Sequence, residues 1–245
     1  MSNFPYPFFI IICTIFIRYS FSQSTDIIFR WNNVDTLIRD KEIDSDDAVD
    51  SISMYVTLTI KLCKKMGMNF TSRDNWVFPM SDLSKTSYRD NGFDYRDEDF
   101  DYFQGAEFYG HPAHDIFILD ADSNAIEDST GKHVNAVAMV SGVIITAYGR
   151  WKMGDFGRAG NYINLFDPKS KGIFYYSHLD SVFVRSGDIV KAGDVIGLVG
   201  RTGRKALFGK THVHIGYYKI IDGYPKPIDI LKDLYNAEKR FRNKY

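Results

Sequence analysis

Val184-Arg185-Ser186-Gly187-Asp188-Ile189-Val190-Lys191-Ala192-Gly193-Asp194-Val195-Ile196 sets two Gly-Asp pairs between short apolar pairs. Glycine supplies turn geometry at no steric cost, and two-residue apolar pairs are too short for a helix. Working outward, the same texture of short β-branched runs punctuated by glycine fills the chain from residue 105 onward. Candidate strands lie at 115–119, 136–140, 142–148, 161–166, 173–177, 195–199 and 212–217. Their spacing predicts a mainly β fold, an antiparallel β-sheet domain over 105–245. The domain closes on a short C-terminal helix over 228–242. There Ile228, Leu231, Leu234 and Tyr235 share one face, and Pro227 stands just before it.

Upstream, the pattern is different. Residues 23–70 form a helical N-terminal extension. Asp46 and Asp47 give it N-cap chemistry and an acidic first turn, Lys61, Lys64 and Lys65 a basic last turn, and Gly67 a stop. Met54, Val56, Leu58, Ile60 and Leu62 alternate with polar residues as a strand would, but the charge gradient and the caps decide for helix. Residues 71–104 carry little periodicity and read as a segment wrapping the β domain, anchored by a short strand at 76–79. The acidic run from Asp94 to Asp101 reads as solvated, and its spacing matches no EF-hand loop.

Residues 1–22 read as a signal peptide. The apolar run from Phe8 to Ile17 is too short to span a bilayer and is followed by Ser20-Phe21-Ser22. The expectation is therefore an exported chain, periplasmic, envelope-associated or secreted, with no stable membrane insertion of its mature form. Of two cysteines, Cys13 leaves with the signal and Cys63 remains, so no internal disulfide forms. The formal charge of −1 over 245 residues argues against a general nucleic-acid binder. It is unevenly spread: residues 1–104 carry 11 basic and 16 acidic side chains, residues 105–245 carry 19 and 15. A mildly basic second half suits an acidic polymer without indicating one.

All six histidines fall between 111 and 214. His111 and Asp115 lie four apart, and His212 and His214 lie two apart on a predicted strand, where they share a face. A loop histidine, a strand-entry aspartate and a strand histidine make two imidazoles and a carboxylate, a donor set for zinc that leaves one position for water.

Gly110-His111-Pro112-Ala113-His114-Asp115-Ile116-Phe117, Tyr175-Tyr176-Ser177-His178-Leu179, and Gly200-Arg201-Thr202-Gly203 followed by Thr211-His212-Val213-His214 together resemble the lysostaphin-type zinc endopeptidases, which cut peptide bonds in bacterial peptidoglycan. The resemblance covers roughly 103–231. It implies Zn2+ on His111, Asp115 and His214, with His178 and His212 as the catalytic pair, undivided between base and oxyanion donor. It also implies peptidoglycan peptides as substrate. Where many members carry glycine in the first motif, this chain has Ala113. His114 is expected to make a structural hydrogen bond rather than ligate, and His133 has no assigned function.

Bland readings compete. The Gly-Asp turns also occur in lipoyl-type carrier domains, but neither Lys191 nor Lys205 has the setting of a modified lysine. The glycines around Arg201 lack the strand-loop-helix context of a phosphate loop. Two alternative functions follow from the same family pattern. One is a catalytically silent wall-binding module that activates other hydrolases; the other is a zinc peptidase on protein substrates. All five key positions are filled, which favours an enzyme. The N-terminal extension carries no readable chemistry, and either packs structurally or covers part of the groove.

Overall fold

A computed structural model describes residues 26–98, 100–107 and 110–243. The signal-peptide reading of 1–22 lies outside the described residues. Two antiparallel sheets organise the fold. The smaller contains β1 (Met80–Ser81), β4 (Asn135–Val137), β10 (Val195–Leu198) and β8 (Ser181–Val182), in that spatial order. The larger runs β2 (Thr86–Tyr88), β3 (Ala113–Ile118), β11 (His212–Ile221), β7 (Gly172–Leu179), β6 (Asn161–Asp167), β5 (Gly142–Tyr148) and β9 (Ile189–Val190). In it β12 (Tyr224–Pro227) also pairs with β11.

The opening stretch folds as its pattern predicts. Gly187 and Gly193 both take positive φ, 94° and 93°. Each following aspartate reaches back, Asp188 Oδ2 accepting from the Arg185 N–H and Asp194 Oδ2 from the Lys191 N–H, both at 2.8 Å. Each Gly-Asp pair is thus a self-capped turn, delivering Ile189–Val190 to β5 and Val195–Leu198 to β4.

Alternation along the strands divides the large sheet into two faces. Ile116, Ile163, Leu165, Phe174, Tyr176, Val213 and Ile215 point inward and pack with Ala136 and Ile196 of the small sheet. Trp76, Phe78 and Leu234 complete this core; Leu234 comes from the C-terminal helix Leu231–Arg242. Full burial of side chains this size contributes roughly 1.5–3 kcal/mol each. The opposite face carries His212, His214, Tyr218 and Ile220 along β11. At its far end it is covered by two helices, α1 (residues 26–40) and α2 (Ser45–Lys65). Trp31, Ile52, Tyr55 and Val56 of these helices pack on Ile145, Phe166, Ile173, Tyr218 and Ile220. The Trp31 and Phe166 ring centroids are 4.9 Å apart.

Several local expectations are corrected. The helical stretch is broken at Lys41, whose φ of 58° ends α1, and Asp44 rather than Asp46 or Asp47 is the N-cap of α2, accepting from the Asp46 N–H at 2.9 Å. In α2 the buried set is Ala48, Ile52, Tyr55, Val56, Thr59 and Cys63, a helical period that overrides the alternation at 54–62. Residues 76–79 bury Trp76 and Phe78 but are not a strand; the ladder begins one residue later, at Met80. β1 and β2, within the stretch read as wrapping, pair with β4 and β3. β12 fell in no predicted strand.

Candidate active site

The ladder itself gathers the first residues. In β3 and β11 Asp115 lies opposite His214, and Phe117 opposite His212, all on the open face. Ala113 lies opposite Gly216. A Cβ on Gly216 would come no nearer than 3.5 Å to that of Ala113, an ordinary contact, so the alanine in the first motif is accommodated without strain. His111 arrives from the loop before β3, through a tight turn in which the Ala113 N–H donates to the His111 carbonyl at 2.8 Å.

His178 comes by a different route. By alternation it should follow Phe174 and Tyr176 into the core. Instead its φ is 64°, a left-handed backbone rare for a non-glycine residue, so Leu179 enters the core and His178 turns to the open face. Its ring centroid is then 4.8 Å from His212 and 5.6 Å from His214. Gly203 must be glycine for this arrangement: at φ 105° its Cβ would meet the Arg158 carbonyl at 2.4 Å and His178 Nδ1 at 3.1 Å.

Hydrogen bonds to carbonyls fix three tautomers. His111 Nδ1 donates to the Asp94 carbonyl (2.9 Å), His178 Nδ1 to that of Thr202 (2.8 Å), and His212 Nδ1 to that of Lys210 (2.7 Å). A carbonyl only accepts, so each Nδ1 carries the proton and each neutral ring keeps its lone pair at Nε2. His111 Nε2 lies 3.1 Å and His214 Nδ1 2.9 Å from the same oxygen, Asp115 Oδ1. The ring of His111 meets that of His214 edge-on at 4.8 Å.

These three side chains fit a divalent metal. Their donor atoms all lie within 4.8 Å of one another. Donors placed tetrahedrally about zinc are roughly 3.3 Å apart, from bond lengths of about 2.0–2.1 Å. Electrostatics point the same way. Burial pushes the Asp115 carboxyl up, but the close approach of the His111, His214 and His212 imidazoles outweighs it, holding the group well below the usual carboxylate range. Burial, with the His214 and His212 rings beside it, pushes His178 down to about 3, and burial lowers His214 against the pull of Asp115. For His111 burial is again the largest influence, but the bond and charge of Asp115 with the nearness of Asp94 overcome it and raise the group.

Residues that sequence reasoning did not single out support the cluster. Asp94, 2 % exposed, gives its carbonyl to His111 and Oδ2 to the Asp115 N–H at 2.9 Å. Its Oδ1 faces His114 Nδ1 at 3.0 Å, and His114 Nε2 faces Asp229 Oδ1 at 3.0 Å. His114 is therefore held between two carboxylates on the core side, away from the cluster. The solvated reading of Asp94 is corrected: the start of the acidic run is buried beneath the site. Arg89 Nη1 donates to Asp115 Oδ2 at 3.1 Å, leaving Oδ1 to the two imidazoles. No motif marks Arg89 or Asp94; both act through tertiary contact. His133 sits apart, its Nδ1 on the Ala125 carbonyl at 3.0 Å. A second carboxylate group, Asp120, Asp122 and Asp128, is taken up by its own loop: Asp120 accepts from the Asn124 and Ala125 N–H groups and Asp128 from that of Ala121.

Residues 123–229 match the profile of Peptidase family M23. His178, His212 and His214 fall inside that span, while His111 and Asp115 fall before it and are joined to it by the β3–β11 ladder. Among solved structures, the antimicrobial peptidase lysostaphin from Staphylococcus simulans is 27% identical, over 52% of this chain and 45% of that one, with a TM-score of 0.38. A zinc-containing peptidase from Vibrio cholerae is 22% identical over 52% of this chain and 30% of its own, with a TM-score of 0.36. A chain of the SpoIIIAH and SpoIIQ complex is 20% identical over 64% of this chain and 99% of its own, with a TM-score of 0.44. The matched part thus spans less than half of lysostaphin. No curated protein sequence matches the chain.

Proposed function

We propose, from the match of residues 123–229 to Peptidase family M23, that the chain is an exported zinc endopeptidase hydrolysing peptide cross-links of peptidoglycan. One observation carries the reading. His111 and His214 converge on a single carboxylate oxygen of Asp115, beside two further imidazoles whose Nε2 atoms are left without a proton.

In this reading His111, Asp115 and His214 hold the metal. Bound there, zinc lowers the pKa of water and polarises a carbonyl. The protein does the remainder. His178 and His212 stand side by side, each steered by a carbonyl at Nδ1, so each takes or returns a proton at Nε2. One accepts a proton from the attacking water and delivers it to the leaving amine. The other, when protonated, donates a hydrogen bond to the oxygen on which charge develops. Neutral imidazole is the form that proton acceptance requires, and the burial that lowers His178 favours it.

Among the described residues no helix is long and apolar enough to cross a membrane. Export is part of the proposal and rests on the sequence of residues 1–22.

The test is digestion of purified peptidoglycan by the zinc-loaded chain, with and without a chelator, followed by mass analysis of the released fragments. Chelator-sensitive release of peptide fragments is expected. No release from folded, zinc-loaded protein overturns the peptidoglycan substrate, and release of glycan fragments alone overturns the peptidase. A folded chain that takes up no zinc would instead be a wall-binding module.

A further inference from the structure

Two loops beside His178 and His212 carry a group of exposed cations. Residues 149–160 and 201–210 lie against each other. The Arg204 N–H donates to the Gly157 carbonyl at 3.1 Å, the Asn161 N–H donates to Thr202 Oγ1 at 2.8 Å, and the Arg204 guanidinium sits 5.7 Å over the Phe156 ring. Arg201 ties the second loop down, donating to the Leu207 carbonyl at 2.6 Å and to that of Ser123. The wall they make borders the site directly, because the carbonyls of Thr202 and Lys210 are the acceptors that fix His178 and His212. The Lys210 ammonium lies 5.8 Å over the Phe117 ring, which in turn packs 5.4 Å from His212.

Arg150, Lys152, Arg204, Lys205 and Lys210 are all exposed. None makes an ion pair among the described residues. Elsewhere Arg30, Arg39, Arg73, Arg89 and Arg242 are each bridged to a carboxylate. The only carboxylate within the two loops, Asp155, is turned back onto the Lys152 N–H at 2.8 Å. Phe156 and Phe208 stand 82% and 86% exposed among these cations. Uncompensated cations along one side of a cleft raise the local concentration of anionic ligands, and exposed aromatic faces give a bound chain flat contact area.

We propose that this wall selects its substrate, taking a peptide that bears a free carboxylate beside the scissile bond. A peptide whose group at that place is uncharged leaves the cations without a partner. The inference rests on the peptidase reading above and names the chemistry of the chain that site accepts.

Two matched cross-link peptides test it, one with the free carboxylate and one with that group as a carboxamide. Binding to the full chain is measured by calorimetry in the presence of chelator, so that nothing is cut, and cleavage is then measured with zinc. The carboxylate peptide is expected to bind about tenfold more tightly, the scale of one charge-assisted hydrogen bond. The preference should shrink as salt is raised. In the double variant Arg204→Ala, Lys210→Ala the ratio falls toward one, with thermal melting and zinc content as checks that the fold survives. Equal binding of the two peptides by the unaltered chain overturns the proposal, as does a preference untouched by the double variant. A tenfold binding preference without cleavage of either peptide supports the wall and overturns the peptidase reading instead. If the chain shows no peptide preference but binds phosphatidylserine vesicles through the same two residues, the wall serves an anionic lipid surface, and substrate selection is wrong.

Discussion

Asp115 can offer one defined oxygen to its two imidazoles because its other oxygen and its backbone are occupied. Arg89 takes Oδ2, and Asp94 holds the backbone N–H while also fixing the His111 tautomer. Outer partners of this kind set ligand orientation, and losing one typically costs about 10–100-fold in metal affinity. Asp94→Ala is therefore expected to weaken zinc binding by about that factor, measured by competition with a chromophoric chelator. Unchanged affinity in a folded variant would remove the Asp94 side chain from the site, since alanine keeps the carbonyl that faces His111. That His111, Asp115, His178, His212 and His214 would gather in one place was legible in the sequence because each sits in a short local pattern. Arg89 and Asp94 were not, because their segment has no periodicity and their roles exist only once β2 and β3 are paired. The turn of His178 toward the site was also invisible, since strand alternation alone sends it into the core.

Among the elements, strands bounded by glycine turns were the most readable, and 142–148 coincides with β5. β1 and β2 were lost because two or three residues cannot display a period. In α2 the apolar alternation competed with the helical pattern, and packing decided: Ile52, Tyr55 and Val56 all meet the sheet. The helices α1 and α2 cover the far end of the same face that carries the histidines, so they belong to the fold's support. Trp31, 2 % exposed against Phe166, is their main anchor. Trp31→Ala should destabilise the chain by about 3–5 kcal/mol in denaturant unfolding, as large aromatic deletions in cores do. A loss below about 1 kcal/mol, the level of a surface substitution, would show that the helices pack loosely.

Across the whole molecule, buried carboxylates tie distant segments together and make stability depend on pH. Burial pushes Glu127 up, but bonds from Ser84, before β2, and from Thr130 outweigh it and hold it below its ordinary 4.5. A depressed folded pKa means that the unfolded chain takes up the proton first. The stabilisation is thus present above about pH 4.5 and is lost as pH falls through the folded value. Melting temperature should therefore drop on acidification below about pH 4.5, and less steeply in Glu127→Gln. Identical slopes would contradict this role. At the same scale, the M23 match begins at residue 123, yet the cluster is complete only when His111 and Asp115 are brought in by the β3–β11 ladder. The most direct test of that assembly measures zinc content and peptidoglycan digestion on the same samples of five alanine variants. The expected result is that His111→Ala, Asp115→Ala and His214→Ala lose zinc and activity together, while His178→Ala and His212→Ala keep the metal and lose turnover by about 10²–10⁴-fold. A metal-free His178 or His212 variant, or any metal-free variant that still digests the wall, would contradict the division of three metal-holding residues and two proton-moving ones.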